Sequence, residues 1–177
     1  MGSLRAFVAI YPSPDELQRC VSFRDRLRNL WRDARWARDG QIHLTLRFIE
    51  ALDESRIALL ADGLREAALR TAPFPLGLCH RVPPWRGARV DALSAQSDEL
   101  DQLARRVEAA ARQAGLPPEG RPFRGHVTLA RHDGRWPSIE LPSFEDEWLV
   151  RSFRLMKSEL GRAGAAHSVL EEFPFGG

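Results

Sequence analysis

The sequence predicts an α+β fold. It is expected to be bilobal, with two mostly antiparallel β-sheets, outer helices, a pseudo-twofold relation and an active-site groove between the lobes. Three observations carry this expectation. Strand-like and helix-like segments interleave, yet several neighbouring strands are joined by loops too short for a parallel crossover. One pattern, His-x-Thr-x with apolar residues at x, occurs twice, at His43–Leu46 and at His126–Leu129. The two copies lie 83 residues apart in a chain of 177, so each half carries one. Residues 1–177 read as one domain made of two intertwined lobes.

The elements follow from local patterns. LRAFVAIYP (Leu4–Pro12) is a β-rich apolar run stopped by proline, hence a strand. Ser13-Pro14-Asp15-Glu16 supplies an N-cap, a proline at the first helical position and acidic first-turn residues. Leu17, Val21, Leu27 and Leu30 mark the apolar stripe of the helix that follows. After a turn at Ala37–Gly40, Ile42–Ile49 alternates as a strand. A second helix opens at Asp53 or Ser55 and runs to about Thr71. Phe74–Cys79 and Arg89–Leu93 read as strands on either side of the loop Pro83–Gly87. Ser97–Leu116 is the best-formed helix, with Leu100, Leu103, Val107 and Ala110 on one face and Gly115 at its end. His126–Arg131, a long Trp148–Leu160 and Ser168–Phe173 read as the remaining strands.

Composition narrows the class. With 44% hydrophobic and 28% charged residues the chain is an ordinary globular sequence. No apolar run approaches the ~20 residues that span a bilayer, and the N-terminus lacks a secretory pattern. Cys20 and Cys79 show neither a disulfide framework nor metal spacing, so they read as reduced thiols of a cytoplasmic protein. Net charge is +2, and Lys157 is the only lysine. Arginine suits phosphate and bases. The arginines are spread along the chain rather than clustered, however, which favours codon bias as their explanation.

The repeated pattern carries the chemistry. The chain has three threonines, and two of them, Thr45 and Thr128, stand two residues after a histidine. Random placement would produce both coincidences about 0.3% of the time. In a strand, residues i and i+2 share a face. His43 therefore sits beside Thr45, and His126 beside Thr128, while Leu44, Leu46 and Phe48 point the other way, as do Val127 and Leu129. A face of imidazole and hydroxyl groups suits a cleft better than a dry core. Two imidazoles can divide acid and base work near neutral pH. Two hydroxyls can hold the non-bridging oxygens of a phosphate. An in-line displacement at phosphorus needs such a set, with the histidines on opposite sides. It needs no metal, because the leaving oxygen is protonated.

These motifs and their flanks resemble the two-histidine (2H) phosphoesterase superfamily, and within it the RNA 2',3'-cyclic phosphodiesterases, also called 2'-5' RNA ligases. LRAFVAIYP, Arg35-Trp36 before IHLTLRF, RPFRGHVTLAR and LMKSELGRAGAAHSVLEEFPF carry the resemblance over nearly the whole chain. There are departures. Gly125 stands where proline usually precedes the second histidine, Phe48-Ile49-Glu50 replaces a "FLG" block, His167 stands where tyrosine is common, and Ala88–Ala92 replaces a "PRV.W" block. The resemblance implies hydrolysis of RNA 2',3'-cyclic phosphate ends to 2'-phosphomonoesters, with RNA ends or cyclic nucleotides as partners and no cofactor or metal. It also implies His43 as proton donor to the leaving oxygen, His126 as the base, and Thr45 and Thr128 on the phosphate oxygens. Arg131 matches a family arginine near the phosphate, although strict alternation places it on the Val127 face, so it reaches the site only if the strand ends or bulges.

Secondary readings remain. Arg47 shares the His43 face and could serve a second phosphate or lie on a solvated rim. Trp36, Phe7 and Phe48 could stack a base, but core positions fit them better. His132 reads as exposed, and His80 and His167 have no evident partner. A zinc site built from histidines and cysteines lacks ligand spacing. Rival functions are 2'-5' RNA ligation, another 2H phosphodiesterase activity, and a non-catalytic RNA-end binding module. A monomer without membrane contact is expected.

Overall fold

The computed structural model describes residues 2–162 and 164–177. β1 (Ser3–Ile10) leads to α1 (Pro14–Leu30), the two-residue β2 (Arg35–Trp36), β3 (Leu44–Asp53) and α2 (Glu54–Leu69). β4 (Phe74–His80), β5 (Val90–Ala95) and α3 (Asp98–Gln113) come next. β6 (His126–Arg131), β7 (Glu145–Val150), β8 (Ser152–Gly161) and β9 (Gly164–Pro174) follow.

The helix ends form as their sequences dictate. Ser13 Oγ accepts from the Glu16 N–H while the Glu16 carboxylate accepts from the Ser13 N–H at 2.7 Å, a capping box. The other Glu16 oxygen accepts from the Leu149 N–H at 2.8 Å, which fastens α1 to β7. The packed face of α1 is rotated from the expected stripe. Cys20, Phe23, Arg24 and Leu27 are buried, Leu17 and Val21 are half-buried, and Leu30 is exposed. α3 buries Leu100, Leu103 and Val107 completely, each contributing about 1.5–3 kcal/mol. It ends at Gly115, whose φ of +78° suits glycine. There the Gly115 and Leu116 N–H groups close back on the Arg112 and Ala111 carbonyls.

The strands form one antiparallel sheet in the order β7-β4-β5-β6-β3-β1-β8-β9, with β2 added beside β6. β3 and β6 meet through one ladder pair, Leu44 with Val127. The sheet thus has two four-stranded halves joined at a narrow seam, rather than two separate sheets. The expected long strand Trp148–Leu160 is two strands: β7 pairs with β4 at one edge, and β8 pairs with β1 and β9 in the other half. Among the described residues, no helix is long and apolar enough to cross a membrane.

Candidate active site

The site lies at the seam. Leu44 pairs with Val127 in an antiparallel ladder, so one step either way sets Thr45 opposite His126 and His43 opposite Thr128. Each histidine thereby faces the threonine of the other motif. Leu44 and Val127 are fully buried beneath, while His43, Thr45, His126 and Thr128 are half-buried above.

Both motif strands then bulge at the same place. Against β1, Val8 pairs with Arg47 and Ala9 with Thr45, leaving Leu46 as an extra residue. Against β5, Asp91 pairs with Ala130 and Ala92 with Thr128, leaving Leu129 extra. Each extra residue is the third after its histidine. A bulge places two consecutive side chains on one face and resets the alternation. Leu46 and Arg47 are accordingly both buried, as are Leu129 and Ala130. The fifth residue after each histidine turns to the histidine face. On β3 that residue is Phe48, 53% exposed, and on β6 it is Arg131, also exposed.

The bulges correct three expectations. Phe48 does not join the leucines in the core. Arg47 does not share the histidine face. It is buried against α3, with Nε 2.7 Å from Glu108 and Nη1 3.1 Å from Glu119. Arg131 meets the condition that strict alternation denied it, and its charge acts on both His43 and His126.

The histidines differ in setting. His43 Nε2 lies 3.1 Å from Thr45 Oγ1, and its ring stacks with Phe7 (5.0 Å) and Tyr11 (5.2 Å). Its Nδ1 is buried without a well-formed hydrogen bond among the described residues. Burial, then the nearby His167, lower its pKa to about 4, with the Gln41 backbone opposing. His126 Nδ1 lies 2.8 Å from the Arg124 carbonyl. An N–H must donate to a carbonyl, so Nδ1 carries the proton and the neutral ring has its lone pair on Nε2. Burial lowers the His126 pKa, the Arg124 backbone opposes this, and Arg131 lowers it further.

Residues 13–162 match the 2'-5' RNA ligase superfamily. The chain belongs to this superfamily. A curated relative from Thermus thermophilus, named RNA 2',3'-cyclic phosphodiesterase, is 34% identical over 146 residues, covering 77% of this chain and 73% of the relative. A Bacillus subtilis relative of the same name is 31% identical over 136 residues, covering 73% and 74%. A crystal structure of a Thermus thermophilus protein superposes with a TM-score of 0.83 at 27% identity, covering 98% and 99% of the two chains. Escherichia coli LigT complexed with 3'-AMP shares the fold, with a TM-score of 0.79 at 23% identity and 98% coverage of each chain.

Gly125 and His167, two of the four departures, have definite surroundings in the fold. A Cβ at Gly125 would run into the Ala95 carbonyl oxygen and approach Leu100 Cδ2 to 2.7 Å. The approach to His126 therefore tolerates no side chain with this β5 and α3. His167 on β9 closes the far side of His43, with rings 5.6 Å apart and edge-on. Burial first, then Arg38, lower its pKa. Arg38 and Gln41 both donate to the Ala165 carbonyl, which ties the approach to His43 onto β9.

Several neighbours of the site were not legible as such. Tyr11 and Trp85, whose ring lies 5.0 Å edge-on from His126, were not marked by any pattern. Phe7 is buried, as a core aromatic should be, but on the histidine face; the alternation Phe7, Ala9 along β1 and Tyr11 just beyond it was the available signal. Trp36 is half-buried, its indole donating to the Trp31 carbonyl at 2.9 Å. His132 is buried rather than exposed, at 9%. His80 pairs with the buried Asp91 at 2.8 Å and also contacts the Pro142 carbonyl, away from the seam. Cys20 and Cys79 are free, and among the described residues no three His, Cys, Asp or Glu side chains converge as a metal centre.

Proposed function

We propose that the protein is an RNA 2',3'-cyclic phosphodiesterase that hydrolyses cyclic phosphate ends to 2'-phosphomonoesters by acid–base catalysis between His43 and His126, without a metal. The observation that carries this reading is the crossed arrangement at the seam, each histidine opposite the other motif's threonine. The names of the curated relatives support the same substrate class.

Each proton has a place in this scheme. His126, held by the Arg124 carbonyl, takes a proton from water at Nε2. The water oxygen bonds to phosphorus, the bond from phosphorus to the 3' oxygen breaks, and His43 protonates that oxygen. Thr45, Thr128 and Arg131 hold the non-bridging oxygens, where charge develops. A pKa of about 4 leaves His43 neutral in the empty site at pH 7. A phosphate anion beside the ring favours its cationic form, so the acid gains its proton together with the substrate. The same displacement with a 5'-hydroxyl in place of water forms a 2'-5' linkage: His126 takes the proton of the hydroxyl, the bond from phosphorus to the 3' oxygen breaks, and His43 protonates that oxygen. Water at about 55 M drives the net reaction toward hydrolysis by mass action.

The deciding experiment incubates the protein with an RNA oligonucleotide ending in a 2',3'-cyclic phosphate, in excess EDTA, and follows the product by phosphorus NMR. A 2'-phosphate is expected. A 3'-phosphate would overturn the leaving-group assignment, and turnover that EDTA abolishes would overturn the metal-free mechanism.

A further inference from the structure

A cavity of about 820 Å³ borders the site at Arg131. Its wall gathers Arg32, Arg35, Arg89 and Arg135, which are scattered in the sequence, against two carboxylates, Asp33 and Asp133. Arg135 pairs with Asp133 at 3.2 Å. Among the described residues, Arg32, Arg35, Arg89 and Arg131 form no ion pair. Arg35 stands directly opposite Arg131 in the β2–β6 ladder. Like charges in that position repel and destabilise the pair, unless an anion lies between them.

The same wall carries a donor without an acceptor. The Gly134 N–H donates to His132 Nδ1 at 3.0 Å, so the neutral ring bears its proton on Nε2. Nε2 is buried with no partner among the described residues, in a residue only 9% exposed. An N–H left in this state is costly and calls for an acceptor from outside the chain. His132 packs against Trp31 (4.9 Å) and Trp136 (4.4 Å), which also touch each other, and Trp136 is half-buried at the cavity wall.

We infer that this cavity binds the RNA strand leading into the terminal nucleotide. Arg32, Arg35 and Arg89 take internucleotide phosphates, His132 donates to a phosphate or sugar oxygen, and Trp136 stacks a base. Arg131 is shared between this strand and the reacting phosphate. The inference rests on the cyclic phosphodiesterase reading and adds that the enzyme selects polynucleotide ends over cyclic mononucleotides.

The test compares kcat/KM for adenosine 2',3'-cyclic phosphate with that for an RNA pentanucleotide ending in the same group, at low and moderate salt. In parallel, tryptophan fluorescence is titrated with a pentanucleotide ending in a 2'-phosphate, which needs no turnover. The pentanucleotide should be favoured by about 10-fold or more, with an advantage that shrinks as salt rises. Arg32→Gln/Arg89→Gln changes two exposed side chains. It should remove that advantage and the quench while leaving mononucleotide turnover unchanged. Equal kcat/KM for the two substrates, or a quench that survives the double substitution, overturns the inference and leaves the phosphodiesterase reading intact. If neither substrate is turned over, the phosphodiesterase reading fails. The quench then decides the cavity alone: its presence in the parent protein and loss in the variant support RNA binding, and its absence in the parent refutes it.

Discussion

The two halves of the sheet carry one backbone device and two different environments. β3 and β6 each present histidine and threonine to the seam, and each bulges at the third residue after the histidine. What differs is what the bulge turns into the groove and what surrounds each ring. On β3 it is Phe48, with Phe7, Tyr11 and His167 enclosing His43. On β6 it is Arg131, with the Arg124 carbonyl anchoring His126 and Trp85 at its edge. The repeat sets two histidines in equivalent backbone positions. The unlike surroundings set His43 among aromatic rings and His126 beside a guanidinium and a backbone carbonyl.

The largest effect should come from removing either histidine. His43→Ala and His126→Ala are each expected to lower kcat about 10² to 10⁴-fold, as loss of a general acid or base does. If one of them retained full turnover, the two halves would not be partners in one reaction. RNA-end binding measured alongside should survive both substitutions.

Next come the threonines. Thr45→Val and Thr128→Val should each cost about 10 to 100-fold in kcat/KM, the worth of one hydrogen bond to a charged group. Similar losses at the two positions would support equal sharing of the phosphate. A loss at one alone would show that the halves hold it unequally.

The residues after the bulges sharpen the contrast. Arg131→Gln is expected to lower kcat/KM about 10-fold through the phosphate, with a weaker salt dependence. Phe48→Ala should change it less than about 3-fold, since an exposed ring contributes only contact area. The reverse ranking would place the substrate charge on the β3 side.

The smallest and most diagnostic effect concerns pH. kcat/KM reports the free enzyme, in which both histidines have lowered pKa values. His126 must be neutral, so its acid limb falls below pH 6.5. His43 must be protonated, and with a pKa of about 4 its fraction declines as pH rises through the acidic range. The kcat/KM optimum should therefore lie on the acid side of 6.5, with the kcat optimum higher because the bound phosphate raises the His43 pKa. Coincident optima would show that the substrate does not set the protonation of His43.

Much of this was legible in the residues themselves. The Ser13 N-cap, the Gly115 helix stop, the buried face of α3 and the histidine and threonine on one face within each motif depend on neighbours within a few positions. Spacing alone reveals such features. The third threonine shows the contrast: Thr71 lacks a histidine two residues before it and serves structure, donating to the Ala67 carbonyl at 2.8 Å.

Only the tertiary structure decided the rest. Alternation belongs to one strand, but a bulge is defined by the register with the next strand. The directions of Arg47, Phe48 and Arg131 therefore depended on β1 and β5. The switch of partners at Arg151, between β7 and β8, leaves no mark on the alternation of Trp148–Leu160. His132 and the arginines around it form a charged cavity only because β2, β5 and β6 end side by side. The sequence by itself determined which groups can do the chemistry. Long-range strand pairing decided which of them share a face and how far each is removed from water, because those properties belong to contacts between segments that the chain order does not place together.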